Sequence, residues 1–175
     1  MGDVSGRVIE IGCGLGENLS FLPHGIDYHG FEPNEELRCV AKNVAFGVAR
    51  RNTIVDYGKA ERIPMEDGSA DFVISTFVLC CVDNLEQSVR EIRRVLRAGG
   101  HFIYIEHVVS PNPLLRYLQG RLSPCTRRLA YGCNLDRDPL RALQRAQFVP
   151  VSELVVPTSR WRILGPLVAG RVQKR

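Results

Sequence analysis

The sequence of 175 residues has little of several features, and each absence excludes a class of protein. It has no run of about 18 apolar residues, so it offers no segment that could span a membrane as a helix. It shows no secretory signal, and its six cysteines form neither a C-x-x-C pair nor a zinc-type pattern with histidine. We therefore expect no metal site, no anchor in this chain, and reduced thiols in a soluble, cytosol-facing protein. The net charge of +4 is too small to predict a nucleic-acid partner.

Strand-like and helix-like segments alternate along the chain, which is typical of a mostly parallel α/β sheet with helices on both faces. With 45% hydrophobic and 24% charged residues, the composition fits one domain over residues 1–175. Seven strands are predicted, at residues 7–11, 26–31, 52–56, 71–76, 101–106, 149–156 and 167–172. Helices are predicted at residues 17–22, from 34, from 85 and at 139–146, with an irregular helical insertion at about 108–135.

The helix predicted from residue 85 is amphipathic, with an apolar side that includes Leu85 and Leu96. We expect its arginines, Arg94 among them, to face water. The pair Gly99-Gly100 is interpreted as the glycine cap that ends this helix.

A glycine-rich turn follows the first predicted strand. Gly12, Gly14 and Gly16 stand at alternate positions, with Glu10 just before them and Glu17 just after. Such a turn between strand and helix lets a ligand approach the backbone closely. The spacing G-x-G-x-G differs from the G-x-G-x-x-G of dinucleotide sites, and flanking acids repel a pyrophosphate but suit a cationic amino-acid group. A turn with no ligand is the alternative interpretation.

A third acid, Glu32, directly follows the next predicted strand and precedes Pro33. It lies about 20 positions after the turn, where nucleotide-binding α/β folds place a carboxylate that binds ribose hydroxyls. The alternative is a surface acid near the start of the helix that follows.

Together these residues resemble motif I of class I methyltransferases that use S-adenosyl-L-methionine (SAM). The resemblance implies a Rossmann-like fold with cofactor contacts from Glu10, Gly12, Gly14, Gly16, Glu32 and Pro33. It extends to Ala60-Glu61, in the segment that holds adenine in this class, and to Thr76, beside the methionine part. Many members have an acid at the position of Lys59, which cannot accept a bond from the adenine amino group. Glu61, a backbone carbonyl or simple packing would then take its place.

Further segments are similar to the microsomal thiol S-methyltransferases, also called methyltransferase-like seven proteins. They are Val78-Leu79-Cys80-Cys81-Val82, Val95-Leu96-Arg97-Ala98-Gly99-Gly100, Glu106-His107-Val108 and Gly132-Cys133-Asn134-Leu135. The resemblance implies a methyltransferase type 11-like core at about 8–105, methylation of a small thiol, and residence at the endoplasmic reticulum and lipid droplets. Those relatives carry an apolar anchor and helices ahead of the first strand, and we expect a form without them to bind SAM but to turn over weakly.

His107 is the best-placed titratable group for a general base, with a structural, hydrogen-bonded histidine as the alternative. The adjacent Cys80 and Cys81 suggest a metal, but buried cysteines are usually inert, so packing is expected. Other acceptors such as a quinone, phenol or lipid remain open, as does a non-catalytic SAM-fold module. The glycine spacing disfavours an NAD-dependent oxidoreductase.

Overall fold

The computed structural model describes residues 3–48, 52–129, 132–156 and 166–175. The strands are β1 (Arg7–Ile11), β2 (Asp27–Phe31), β3 (Thr53–Asp56), β4 (Ala70–Thr76), β5 (Leu96–His107), β6 (Phe148–Val156) and β7 (Leu167–Lys174). The α-helices are α1 (Glu35–Gly47), α2 (Leu85–Val95), α3 (Pro113–Leu129) and α4 (Pro139–Arg145), and Glu17–Phe21 forms a short 3₁₀ helix. Among the described residues, no helix is both long enough and apolar enough to cross a membrane.

The seven strands of the described residues form one sheet in the order β3-β2-β1-β4-β5-β7-β6. The first five are parallel, and β7 runs antiparallel to both β5 and β6. The predicted Rossmann-like fold with a mostly parallel sheet is therefore confirmed. The strand order reverses between β1 and β4, and such a switch point leaves a crevice at the carboxyl ends of the strands.

Alternating side chains of the central strands enter two separate cores. In β1, Val8 packs on one face with residues of α1, while Ile9 packs on the opposite face with residues of α2 and α4. In β4, Phe72 and Val73 divide between the faces in the same way. Helices thus cover both faces, as the alternation of strand and helix predicts.

Side-chain caps fix where the helices begin. Asn34 accepts from the backbone N–H of Leu37, and Asp138 accepts from that of Arg141, so both predicted helix starts are confirmed. The predicted helix at 17–22 is a 3₁₀ helix that begins after Gly16. The region predicted as a helical insertion contains α3.

The predicted glycine cap at Gly99-Gly100 is wrong. Helix α2 ends at Val95, and Leu96 is already extended and pairs with Ala70 of β4. Burial of Leu96 beside β4 outweighs the helical pattern, and the glycines lie at an irregularity of β5, where a Cβ on Gly100 would meet backbone oxygens at 3.0 and 3.2 Å.

The prediction that Arg94 faces water is also wrong. Its guanidinium donates to the carbonyl oxygens of Ile63 and Met65, each at 2.8 Å, and pairs with Glu91 and Asp67. Arginine supplies five donors in a planar fork, which is why this one residue can fasten the loop before β4 to α2.

Candidate functional site

A cleft of about 400 Å³ lies beyond the carboxyl ends of β1, β2 and β4. Its volume falls in the usual range for small-molecule sites, about 300–1,000 Å³. It is lined by Gly12, Gly14, Glu32, Pro33, Asn34, Leu37, Gly58, Lys59, Ala60, Glu61, Thr76, Phe77, Val78, Cys81, Val82 and Asp83. Most of the residues selected from the sequence thus meet at one place, whereas Glu10, Gly16 and His107 are not among the lining residues.

The three glycines of the turn have different roles, although all have positive φ. A Cβ on Gly12 would lie 2.5 Å from a methyl carbon of Val78, and one on Gly16 would lie 3.3 Å from the Cα of Ala41 in α1. A Cβ on Gly14 would meet nothing within 4 Å. Gly12 and Gly16 therefore permit close packing, while Gly14 keeps its part of the cleft open.

Glu32 is held in a fixed orientation at the cleft. One carboxylate oxygen accepts from the backbone N–H of Gly14 and the other from that of Asn34, both at 2.9 Å. The residue is only 6% exposed. A carboxylate has about four acceptor sites, so each oxygen keeps one for a further donor.

Glu10 lies beneath the turn and is fully enclosed. Its carboxylate accepts from the hydroxyl of Tyr28 at 2.5 Å and from the amide of Asn18 at 2.7 Å. Burial raises the pKa of Glu10 to about 7, against the opposing effect of these two bonds. The same amide of Asn18 donates to the hydroxyl of Thr76 at 3.0 Å, so Glu10 reaches the cleft through Asn18. Asn18 carries no sequence signal beyond its place just after the turn.

Two carboxylates, Glu61 and Asp83, lie on the side of the cleft that includes residues 58–61. Glu61 accepts from the backbone N–H groups of Asp83 and Asn84, at 2.7 and 3.2 Å, so it joins this loop to the start of α2. Asp83 lies 3.6 Å from the ammonium of Lys59. Sequence patterns did not identify Asp83, because it is distant along the chain from Lys59, beside which it lies in the fold.

The wall after β4 is fastened by Glu106 of β5. Its carboxylate accepts from the hydroxyl of Ser75 at 2.6 Å and from the backbone N–H groups of Val78, Leu79 and Cys80, at 3.0 to 3.2 Å. Burial raises the pKa of Glu106, while these bonds act in the opposite direction. The carboxylate thus replaces the missing hydrogen bonds of a tight buried turn.

Phe77 stands between the cleft and His107. Its φ is +59°, an uncommon value for a bulky residue and one that often marks a functional site. Phe77 lines the cleft, and the centroid of its ring lies 5.0 Å from that of His107. The candidate base therefore sits behind the wall of the cleft, and its Nδ1 is buried with no hydrogen-bond partner among the described residues.

Three cysteines gather beside this histidine. Cys80 and Cys81 have their sulfurs 3.6 Å apart, and the buried Cys133 approaches both. Hydrogen bonds from Cys80, Cys81 and then His107 lower the pKa of Cys133 well below its usual value. The contacts with Cys133 and Cys81, aided by burial, raise the pKa of Cys80 well above its usual value.

Comparison with known proteins agrees with this fold and cleft. Residues 9–104 match the family model described as "Methyltransferase domain". The human thiol S-methyltransferase TMT1A is 35% identical over 175 residues, covering 95% of this chain and 70% of that protein. Human TMT1B is 33% identical over 181 residues, covering 97% and 72%.

Solved structures extend the likeness of fold. The geranyl diphosphate C-methyltransferase of Streptomyces coelicolor A3(2), solved with S-adenosyl-L-homocysteine, superposes with a TM-score of 0.80 at 16% identity, covering 99% of this chain and 76% of that one. Fold and cleft define a class I methyltransferase. The chain belongs to the methyltransferase domain family, among the relatives of the thiol S-methyltransferases, and is a SAM-dependent enzyme.

Proposed function

We propose that this protein transfers the methyl group of SAM to the sulfur of a small thiol. The observation that carries the cofactor part is Glu32, whose two oxygens are fixed at the cleft with one free acceptor site each. The acceptor part is supported by the 35% identity to a human thiol S-methyltransferase across 95% of the chain.

In this proposal the free acceptor sites of Glu32 bind the two vicinal ribose hydroxyls. The open backbone at Gly14 receives the amino-acid end, with Thr76 beside it and oriented by Asn18. Pro33, Ala60 and Glu61 enclose the adenine, and Asp83 offers an acceptor where Lys59 cannot. Gly12 and Gly16 shape the turn, and Glu10 acts as a positioning residue through Asn18 rather than as a direct ligand.

The remaining wall is suited to an apolar acceptor. Phe77, Val78, Cys81 and Val82 line it, and Glu106 holds the segment in place. SAM supplies an electrophilic methyl carbon, which a thiolate takes in line as the bond to the sulfonium breaks, leaving a thioether and S-adenosyl-L-homocysteine. The wall orients the acceptor and excludes water, which strengthens the effect of positioning.

Proton removal needs little help from the protein. The thiolate is the nucleophile, and a small thiol already ionises in part near neutral pH. The sequence predicts His107 as a general base or, alternatively, as a structural histidine, and it lies next to Phe77 but is not among the residues that line the cleft. We therefore propose that the thiol loses its proton to solvent before it binds. In this mechanism His107 does not contact the acceptor.

The test is a side-by-side assay of methyl transfer from labelled SAM to an alkyl thiol, a phenol and an amine. We expect turnover with the thiol and at least tenfold less with the other two. A sharp preference for the phenol would replace the thiol assignment with an O-methyltransferase. Binding of S-adenosyl-L-homocysteine without turnover of any acceptor would leave a cofactor-binding module and contradict the enzymatic proposal.

We further propose that the protein resides at the endoplasmic reticulum membrane and lipid droplets, as its family resemblance implies. Exposed apolar side chains on α3 support contact with a lipid surface: Leu114, Tyr117, Leu118 and Leu122. The double change Leu114→Glu and Leu118→Glu should release a tagged protein from droplets, whereas Leu154→Glu on the exposed side of β6 should not. Diffuse staining of the unaltered protein would contradict this proposal.

A further inference from the structure

Three metal-ligating side chains converge from distant parts of the chain. Cys80 follows β4, His107 ends β5, and Cys133 lies between α3 and α4. One ligand atom from each lies within 4.8 Å of the other two. We propose that Cys80, His107 and Cys133 bind one thiophilic divalent cation of the zinc type, a site beyond the proposed methyl transfer.

The donor set favours Zn²⁺ over hard cations. Two sulfurs and one imidazole nitrogen are the ligands that zinc takes in proteins, whereas Mg²⁺ and Ca²⁺ prefer oxygen. Two thiolates and a neutral imidazole would balance the charge of the divalent ion at a place where Cys80 is fully buried and Cys133 is 8% exposed. A neutral assembly avoids the cost of burying an unpaired charge.

One ring nitrogen of His107 is available as a metal ligand. Its Nδ1 is buried and has no hydrogen-bond partner among the residues that the structure describes. Buried polar atoms nearly always have a partner, and an ion is one of the explanations for an exception. A metal contact through Nδ1 would satisfy that requirement and fix the ring against Phe77.

The backbone around the cluster is held in place by side-chain hydrogen bonds. Asn134 donates from both its backbone N–H and its side-chain amide to the carbonyl oxygen of Cys80, at 2.8 and 3.2 Å. Thr126 donates to the carbonyl oxygen of Cys133 at 2.8 Å, and Glu106 accepts from the N–H of Cys80 at 3.2 Å. The two sulfurs are therefore brought together by contacts that do not involve sulfur, as in a preorganised ligand set.

Cys81 connects the cluster to the cofactor cleft. Its sulfur is 3.6 Å from that of Cys80, and it lines the cleft, but it is not part of the three-residue group. Three protein ligands leave a fourth tetrahedral position for an exchangeable ligand. The cation would thus lie behind the cleft wall and stiffen it.

The test titrates Co²⁺ as a spectroscopic probe, and then Zn²⁺ in competition, into the full chain after chelation and reduction with a phosphine. We expect one ion per chain, thiolate-to-cobalt charge-transfer bands and tetrahedral ligand-field bands. Cys80→Ser, Cys133→Ser and His107→Gln should each weaken Zn²⁺ binding by more than the roughly 10- to 100-fold caused by loss of an outer-shell partner. The exposed cysteines provide matched controls, and Cys39→Ser and Cys125→Ser should change nothing.

Binding of S-adenosyl-L-homocysteine is measured on every variant to report folding and to separate this proposal from the proposed function. An unaltered chain that binds this nucleoside but takes up no stoichiometric Co²⁺ or Zn²⁺ would overturn the metal site and leave the methyltransferase intact. Unchanged uptake in the folded His107→Gln variant would also overturn it. If the cysteine variants fail to fold, X-ray absorption of the zinc-loaded chain decides, because the site requires two sulfurs near 2.3 Å.

Discussion

Replacing Glu32 by glutamine should separate cofactor binding from folding more cleanly than any other change in the cleft. The side chain keeps its size, but one carboxylate oxygen becomes an amide nitrogen that must face the N–H of Gly14 or of Asn34. One ribose hydroxyl also loses its acceptor. A buried donor left without a partner costs about 1–3 kcal/mol, which corresponds to a roughly 5- to 150-fold rise in Kd when the partner belongs to the ligand.

The assay is calorimetry with S-adenosyl-L-homocysteine and with its 2′-deoxy analogue, on the unaltered chain and on Glu32→Gln. We expect the analogue to bind more weakly than the parent to the unaltered chain, and the two ligands to differ less on the variant, because the deleted hydroxyl and the altered carboxylate share one bond. Thermal unfolding without ligand measures the separate cost of the lost backbone bond. Glu36→Gln, an exposed acid in the first turn of α1, is the matched control for charge.

Two results would refute the ribose assignment. The first is an unchanged Kd for S-adenosyl-L-homocysteine in a folded Glu32→Gln variant. The second is an equal loss for the 2′-deoxy analogue on both proteins, which would show that Glu32 and the ribose hydroxyl act independently.

Three further predictions concern the glycine turn, the buried carboxyl of Glu10 and the guanidinium of Arg94. Gly14→Ala should cost about 1–2 kcal/mol of stability because of its positive φ. The added Cβ would stand in the open cleft and should weaken nucleoside binding at least tenfold. Gly12→Ala should cost about 1–3 kcal/mol more stability than Gly14→Ala, since its Cβ overlaps Val78. Equal unfolding temperatures for the two variants would contradict this. Burial raises the pKa of Glu10 from 4.5 to about 7. Between these two pH values the folded chain therefore holds a proton that the unfolded chain releases. The stability of the unaltered protein relative to Glu10→Gln should therefore fall as pH rises through this window, by up to roughly 3 kcal/mol, and a flat difference in urea unfolding would refute it. Arg94→Met should lower stability by about 2 kcal/mol in urea, because two loop carbonyls lose a charged donor, and an unchanged midpoint would show that the loop is held otherwise.

Local patterns in the sequence determined the framework of the site. The apolar run before Gly12 predicts β1, the alternate glycines predict the turn, and Glu32 directly follows β2 as expected from its spacing. Asn34 and Asp138 cap helices within three residues of themselves. These features depend on contacts between near neighbours in the chain, so the order of residues is enough to predict them.

Only the tertiary structure decided which distant groups meet. Leu96 continues a helical pattern but becomes the first residue of β5, because Ala70 offers a strand partner and burial. Glu106 fastens a turn that lies 26 to 31 residues earlier in the chain. Cys80, His107 and Cys133 have no metal-site spacing in the sequence, yet their ligand atoms converge behind the cleft. The reason is that such contacts depend on the path of the sheet and on the competition among all possible partners for burial, which periodicity along the chain does not contain.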